Sequence, residues 1–402
     1  MQKKGTLLGA TLLVAGTCVG GGMLAFPVAT GEAGFIPSLF LMLLGWAFMT
    51  LTALYLSEVN LWMEPGSHII TMASRLLGFW GKSVAWLLYL LISYASLVAY
   101  TAGGGELFGD FLRLFFPISD LWASIVLVCV FGFIVYLGNI VVGRVNTLLM
   151  FGLIASYLLL VLASLQSIDV HNWVRKQWSA SFVAMPLLLS IFSFQTIIPS
   201  LTIYLKQDGK LLRRAIVYGT LIALIVYITW QAVVLGTLHL ENGLAESLRQ
   251  GKPATQFFGE GTGRPLLGAI ADFFAFFALI TSFLGIGMGL FDFLSDGLKI
   301  PKVRWGALLL GLLIVVPTLL FALNLEQIFL LALDVSGGIG DTILNAVIPA
   351  SMLLVGRYKR HYTSDVRIFG GKPLIFVVIA YALLVFSLEI LGKFGVIRSL
   401  GG

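Results

Sequence analysis

Charge is what this chain has least of. Only 11% of its 402 residues are Asp, Glu, Lys or Arg and 59% are hydrophobic, whereas an ordinary soluble domain carries about 25% charge. With a mean hydropathy of +0.99, that balance excludes a soluble globular fold. Cysteine is nearly absent: Cys18 and Cys129 both sit inside apolar runs, so neither a disulfide framework nor a thiolate metal site has material. His68, His171, His239 and His361 fall in polar connections, which excludes a haem or multi-histidine centre within the membrane. No metal and no cofactor is expected. Without a Walker phosphate loop, ATP-driven pumping is excluded, and no filter-type repeat suggests a channel.

What is abundant is apolar runs of roughly 20 residues, each long enough to cross a bilayer core of ~30 Å. About eleven spans are expected, with cores Leu7 to Val28, Ile36 to Trp62, Ser83 to Gly104, Leu121 to Leu137, Val145 to Leu165, Phe182 to Leu205, Leu211 to Leu235, Leu266 to Leu294, Trp305 to Ala322, Ile328 to Val355 and Pro373 to Leu391. The fold class is therefore an all-α polytopic membrane protein, one membrane domain over residues 1–402. Met1-Gln2-Lys3-Lys4 followed by apolar residues resembles a signal peptide, but apolar character continues through Pro27, so this segment is expected to remain as the first span.

With a cytoplasmic N-terminus, most of the 25 basic residues fall in inner connections, including Lys3, Lys4, Arg213, Arg214, Lys302 and Arg357. The outer connections keep few, among them Lys252, Lys393 and Arg398. This bias sets the orientation, with the C-terminus outside. The net charge of +6 is then topological and implies no nucleic-acid partner. The longest polar stretch is the outer connection from His239 to Arg264. Leu240, Leu244 and Leu248 recur there at helical spacing, predicting a short interfacial helix able to act as a lid.

Two spans break the rules of a lipid-facing helix. The first reads Ala15-Gly16-Thr17-Cys18-Val19-Gly20-Gly21-Gly22, with Pro27 following. Gly16 and Gly20 fit close helix packing of small-xxx-small type, but three adjacent glycines point in three directions, so an unwound segment is expected. Such backbone survives at membrane depth only where it lines a cavity or is buried in protein. The sixth span carries Phe192-Ser193-Phe194-Gln195-Thr196 ahead of Pro199, with polar groups beside a proline that disturbs the preceding turn. First and sixth are corresponding positions of two five-span halves, residues 7–165 and 182–355. An odd span number gives the halves opposite orientation, the inverted-repeat layout of many secondary transporters. Residues 373–391 form one extra span.

Val14-Ala15-Gly16-Thr17 through Gly22-Met23-Leu24-Ala25-Phe26-Pro27 resembles the opening motif of the bacterial aromatic amino acid permeases, the tyrosine and tryptophan transporter group. Ala99-Tyr100 with Gly103-Gly104-Gly105-Glu106, Phe192-Ser193-Phe194 with Pro199-Ser200, Thr281-Ser282-Phe283-Leu284-Gly285 through Asp292, and Gly370-Gly371-Lys372-Pro373 agree with it. The similarity runs end to end and is nearest to tyrosine-specific members. It implies proton-coupled uptake of an aromatic amino acid across the bacterial inner membrane. It also implies the five-plus-five inverted-repeat fold of the amino acid, polyamine and organocation superfamily, a leucine-transporter-type fold with helices 1 and 6 broken.

The breaks suit a zwitterion on physical grounds. Amides of Gly20, Gly21 and Gly22 begin the outer half of the first span, where the positive dipole end favours a carboxylate. Carbonyls near Ala15, Gly16 and Ser193 are expected to accept from an ammonium, with Thr17 and Cys18 in the same segment. Phe192 and Phe194, with Tyr94 and Tyr100 of the third span, are candidates for a ring-binding wall, and Gln195 for a substrate hydroxyl. Packing or lipid contact is the commoner role of any one aromatic, and Gln195 would equally serve the disrupted backbone.

For energy coupling, intramembrane acids are functional candidates by default. These are Glu106, Asp272, Asp292, Asp334 and Asp341, of which Asp341 is favoured and Asp292 approaches the basic inner connection. Asp334 and Asp341, seven residues apart, are expected on one helical face, with the intervening glycines loosening the helix. A fifth-span lysine, used for coupling in some relatives, is absent. Thr281 and Ser282 form a hydroxyl pair of the kind that suits a hard cation, which keeps sodium as the second reading; each could instead bond its own helix. Gly338-Ile339-Gly340-Asp341 also matches the G-x-G-D signature of intramembrane aspartyl proteases. The partner Tyr-Asp dipeptide is missing, however, which leaves that enzyme class a remote alternative.

Overall fold

Regular structure in the computed structural model, described for residues 5–324, 328–364 and 366–396, is entirely helical among those residues. Lys3, Lys4 and Arg398, invoked above for topology, lie outside the described residues. Among the described residues seventeen α-helices run in order: α1 Leu7–Cys18, α2 Gly22–Ala29, α3 Phe35–Leu61, α4 Ile69–Arg113, α5 Asp120–Tyr136, α6 Asn139–Ser164, α7 Trp178–Ser181, α8 Met185–Ile191, α9 Ile198–Tyr204, α10 Gly209–Thr237, α11 Ala245–Gln250, α12 Phe258–Thr262, α13 Pro265–Leu298, α14 Arg304–Asn324, α15 Ile328–Val335, α16 Ile348–Tyr358 and α17 Gly371–Lys393. A π-helical stretch, Ser336–Val347, joins α15 to α16.

Among the described residues nine helical segments are long and apolar enough to cross a membrane, ten if the bent pair α1 and α2 counts as one span. The expected fourth span corresponds to α5, whose 17 residues rise about 26 Å, slightly less than the bilayer core, so it falls short of the length that the others reach. The chain is a multi-pass membrane protein. Its helix α4 is longer than the third-span reading because residues before Ser83 are helical too; Gly78, at φ +76°, breaks the element into a short helix and a long one. α13 packs between α6 and α4, while α10 packs against α1 and α3. Leu8, Leu148, Leu162 and Leu320 are exposed, as the lipid-facing side of such a bundle requires.

Proline positions shape the helix contacts. Pro27 lies inside α2 and has no N–H for the carbonyl four residues back. That carbonyl, Met23 O, accepts instead from Trp230 Nε1 of α10 at 3.0 Å. Pro317 lies inside α14, and the corresponding Leu313 O accepts from the Tyr94 hydroxyl of α4 at 2.7 Å. Each proline thus frees an acceptor within the bundle that a neighbouring helix satisfies.

The connection after α10 coils into short helices, with Leu244 buried against Gly31 just beyond α2. Leu240 and Leu248 pack on the core as well. The leucine stripe of this connection thus covers protein.

Candidate functional site

Both predicted interruptions are present. α1 and α2 meet at a 52° bend across Val19, Gly20 and Gly21. Helix also stops at Ile191 and resumes as a 3-10 turn at Gln195, ahead of α9. The two breaks abut: a Cβ on Gly22 would stand 3.4 Å from Ile191.

Gly21 N–H donates to Ser282 Oγ of α13 at 3.1 Å. A Cβ on Gly20 would lie 2.4 Å from that oxygen, and one on Gly21 would lie 2.5 Å from the Tyr100 ring and 2.9 Å from Leu279. Absence of a side chain is therefore a steric requirement of this crossing. Tyr100 and Ser282 both meet Gly21, so both belong to the first break.

Carbonyls at the breaks differ in register from the expectation. Ala15 O is taken by Val19 N–H at 2.9 Å, because α1 stays helical as far as Cys18. The oxygens turned to the junction are Cys18 O and Ile191 O, which lie 2.5 and 2.7 Å from the Tyr227 hydroxyl of α10. Gly16 faces Met150. Thr17 is exposed and its hydroxyl donates to Leu13 O of its own helix.

At the second break, Ser193 Oγ donates to Asp341 Oδ1 at 2.6 Å. Asn345 Nδ2 donates to the same carboxylate oxygen at 2.6 Å and lies 3.0 Å from Ser193 Oγ. Asp341 is fully buried, and its Oδ2 has no hydrogen-bond partner. The π-helix explains this placement. Its glycines accept close neighbours, with a Cβ on Gly337 falling 2.1 Å from Pro186 O and one on Gly340 falling 2.4 Å from Ile92. Its i→i+5 bonding turns successive side chains through a smaller angle than an α-helix does. Asp334 and Asp341 consequently do not share a face. Asp334 points to α17, where Lys393 Nζ is 3.3 Å from Asp334 and 3.4 Å from Glu389.

Other sequence candidates are spent elsewhere. Phe192 and Phe194 are buried, Phe192 lying edge-on to Tyr227 at 5.1 Å between centroids. Gln195 turns toward α3: its Oε1 accepts from Phe194 N–H at 2.9 Å and its Nε2 donates to Met49 O and Thr52 Oγ1, both at 3.3 Å. Tyr94 serves Leu313 O, as above. Thr281 donates to Phe277 O of its own helix at 2.8 Å. Glu106 is paired with Lys252 and approached by Gln256 Nε2 at 3.3 Å, which ties the 238–264 connection to α4. Asp272 is part-buried, its Oδ1 unpartnered, near Asp110 and Glu106. On that connection Arg249 and then Gln250 hold the Glu246 carboxyl down to about 2, so it stays ionised at neutral pH.

Sequence reasoning missed Asn345, Tyr227 and Glu389. Asn345 had a signal, an amide four residues after the favoured aspartate and so one turn away. Tyr227 had none, since nothing local marks the register at which α10 crosses the breaks.

The sequence profile described as the tryptophan/tyrosine permease family matches residues 3–389. The chain belongs to this family. Among its relatives, the tyrosine-specific transport system 1 of Haemophilus influenzae is 32% identical, over 95% of this chain and 96% of that one. A tryptophan-specific transport protein of the same organism is 30% identical over 100% of this chain and 99% of its own length. Another of that description, from Pseudomonas aeruginosa, is 29% identical over 94% and 93%. The permease family and these relatives are transporters, not enzymes, and nothing in the match favours the protease reading of Gly338 to Asp341.

Proposed function

We propose that this permease is a secondary active transporter that imports aromatic amino acids, tyrosine foremost, by proton symport across the bacterial inner membrane. The observation that carries the reading is the junction of two interrupted helices in the core, where backbone groups of both are held by side chains from α10 and α13. A zwitterion needs donors for its carboxylate and acceptors for its ammonium, and broken helices offer both in a low-dielectric place. The relatives' tyrosine- and tryptophan-specific descriptions support the aromatic class.

In this reading residues 7–165 and 182–355 are inverted repeats, α17 is the extra span, and eleven spans leave the N-terminus cytoplasmic and the C-terminus outside. Alternating access works by moving α1 and α9 against α4 and α13. Asp341 carries the proton. A carboxylate bonded to the sixth-span break through Ser193 senses whether that break is open, and its unpartnered oxygen is where a proton adds. Proton is preferred over sodium because Thr281 is bonded to its own helix and Ser282 already serves Gly21.

The test is uptake of labelled tyrosine into liposomes under an imposed proton gradient without sodium, with tryptophan and phenylalanine as competitors. Accumulation that collapses with an uncoupler is expected. Asp341→Asn is expected to abolish gradient-driven accumulation while retaining counterflow exchange. Accumulation that requires sodium instead would reject the proton assignment.

A further inference from the structure

Tyr227 lies in mid-helix on α10, is almost wholly buried, and directs its hydroxyl to carbonyls from two different chain segments. Cys18 O ends α1 and Ile191 O ends α8, so neither has a helical partner beyond it. A phenol has one hydrogen. With oxygens at 2.5 and 2.7 Å, only one can receive it. The other approaches the phenol oxygen with no proton between them, and a buried carbonyl short of a donor is costly. The arrangement is thus one hydrogen short, at the negative end of the α1 dipole.

The ring cannot drift to relieve this. Phe192 packs edge-on against it, and Trp230, less than one turn away on α10, is anchored to Met23 O. α10 therefore holds the carbonyl end of α1 and the first turn of α2 together, with Tyr227 at the corner.

Resting on the transport reading above, we propose that Tyr227 is a specificity-determining residue for the substrate's α-amino group. Its hydroxyl stays between the two breaks and serves one of their carbonyls, and a substrate ammonium supplies the donor that the other lacks. The ammonium brings three N–H donors where the phenol brought one. It can serve the undersupplied carbonyl and donate to the phenol oxygen, while the phenol keeps its hydrogen on the other carbonyl. A ligand with the same ring and carboxylate but no amine lacks these donors and cannot supply the missing hydrogen.

Full-length protein is purified and binding is measured for an aromatic amino acid and for the arylpropionate of the same ring. In Tyr227→Phe the half-saturating concentration of the amino acid is expected to rise about tenfold toward that of the arylpropionate, whose own value does not move. An equal loss for both ligands, or no loss for the amino acid, overturns the proposal. A second measurement does not depend on that variant. With 3-fluorotyrosine at position 227, the fluorine resonance is expected to shift with the amino acid and not with the arylpropionate; no shift with the amino acid overturns it. Unaltered protein that binds no aromatic amino acid would instead refute the transport reading, before any variant is compared.

Discussion

Gly21 and Gln195 illustrate how a residue's role depends on what stands opposite. Gly21 reads in sequence as an exposed amide, but its N–H already has Ser282 and its Cα faces Tyr100 and Leu279. Gly21→Val would push the break away from α4 and α13. Loss of tyrosine uptake is expected with membrane insertion intact, measured by transport against immunodetected protein in the membrane fraction. Gln195 was open to two readings from sequence, substrate hydroxyl or disrupted backbone. Its three contacts with Phe194, Met49 and Thr52 favour the second. Gln195→Leu is expected to keep tyrosine preference over phenylalanine in competition assays. It should lower stability by about 1–3 kcal/mol, the cost of leaving buried backbone groups unpaired.

Elements in this molecule are joined where their own hydrogen bonding fails. Prolines in α2 and α14 each strip a carbonyl of its partner, and Trp230 and Tyr94 supply the replacement. Tyr94→Phe is expected to cost about 1–3 kcal/mol of stability, read as a lower thermal midpoint in detergent, with tyrosine affinity unchanged. A large change in affinity would return Tyr94 to the substrate wall. The π-helix is a similar case. Glycines at 337, 338 and 340 were legible as loosening, but not that the loosened turn would widen and carry Asp341 to Ser193 while leaving Asp334 with Lys393 and Glu389. Register across a widened turn depends on which neighbours press against it, and the neighbours are remote in sequence.

Across the whole molecule, charges counted as topological in sequence turn out to be fasteners. Arg357 is 3% exposed and forms two bonds to Glu58, at 2.8 and 2.5 Å. The pair also binds both backbone groups of Ile368 at 2.7 Å each, fastening the connection before α17 to α3 and α16. Breaking a buried pair leaves an uncompensated charge, costing about 3–5 kcal/mol. Glu58→Gln is therefore expected to lower the thermal midpoint far more than Glu246→Gln, whose exposed partner stays hydrated. Equal melting of the two variants would deny the clamp. Lys252 and Lys393 likewise meet Glu106 and the Asp334–Glu389 pair.

By itself the sequence determined that the chain lives in a bilayer, that its elements are helices, and that spans one and six are interrupted. Each follows from local composition, because hydrocarbon tolerates no unpaired backbone and glycine and proline weaken a helix wherever they stand. Tertiary structure alone decided which groups meet at those interruptions: Tyr227 on Cys18 and Ile191, Ser282 on Gly21, Asp341 and Asn345 on Ser193. Those meetings depend on the rotation and depth at which separate helices pack, and close contact between large and small side chains sets both.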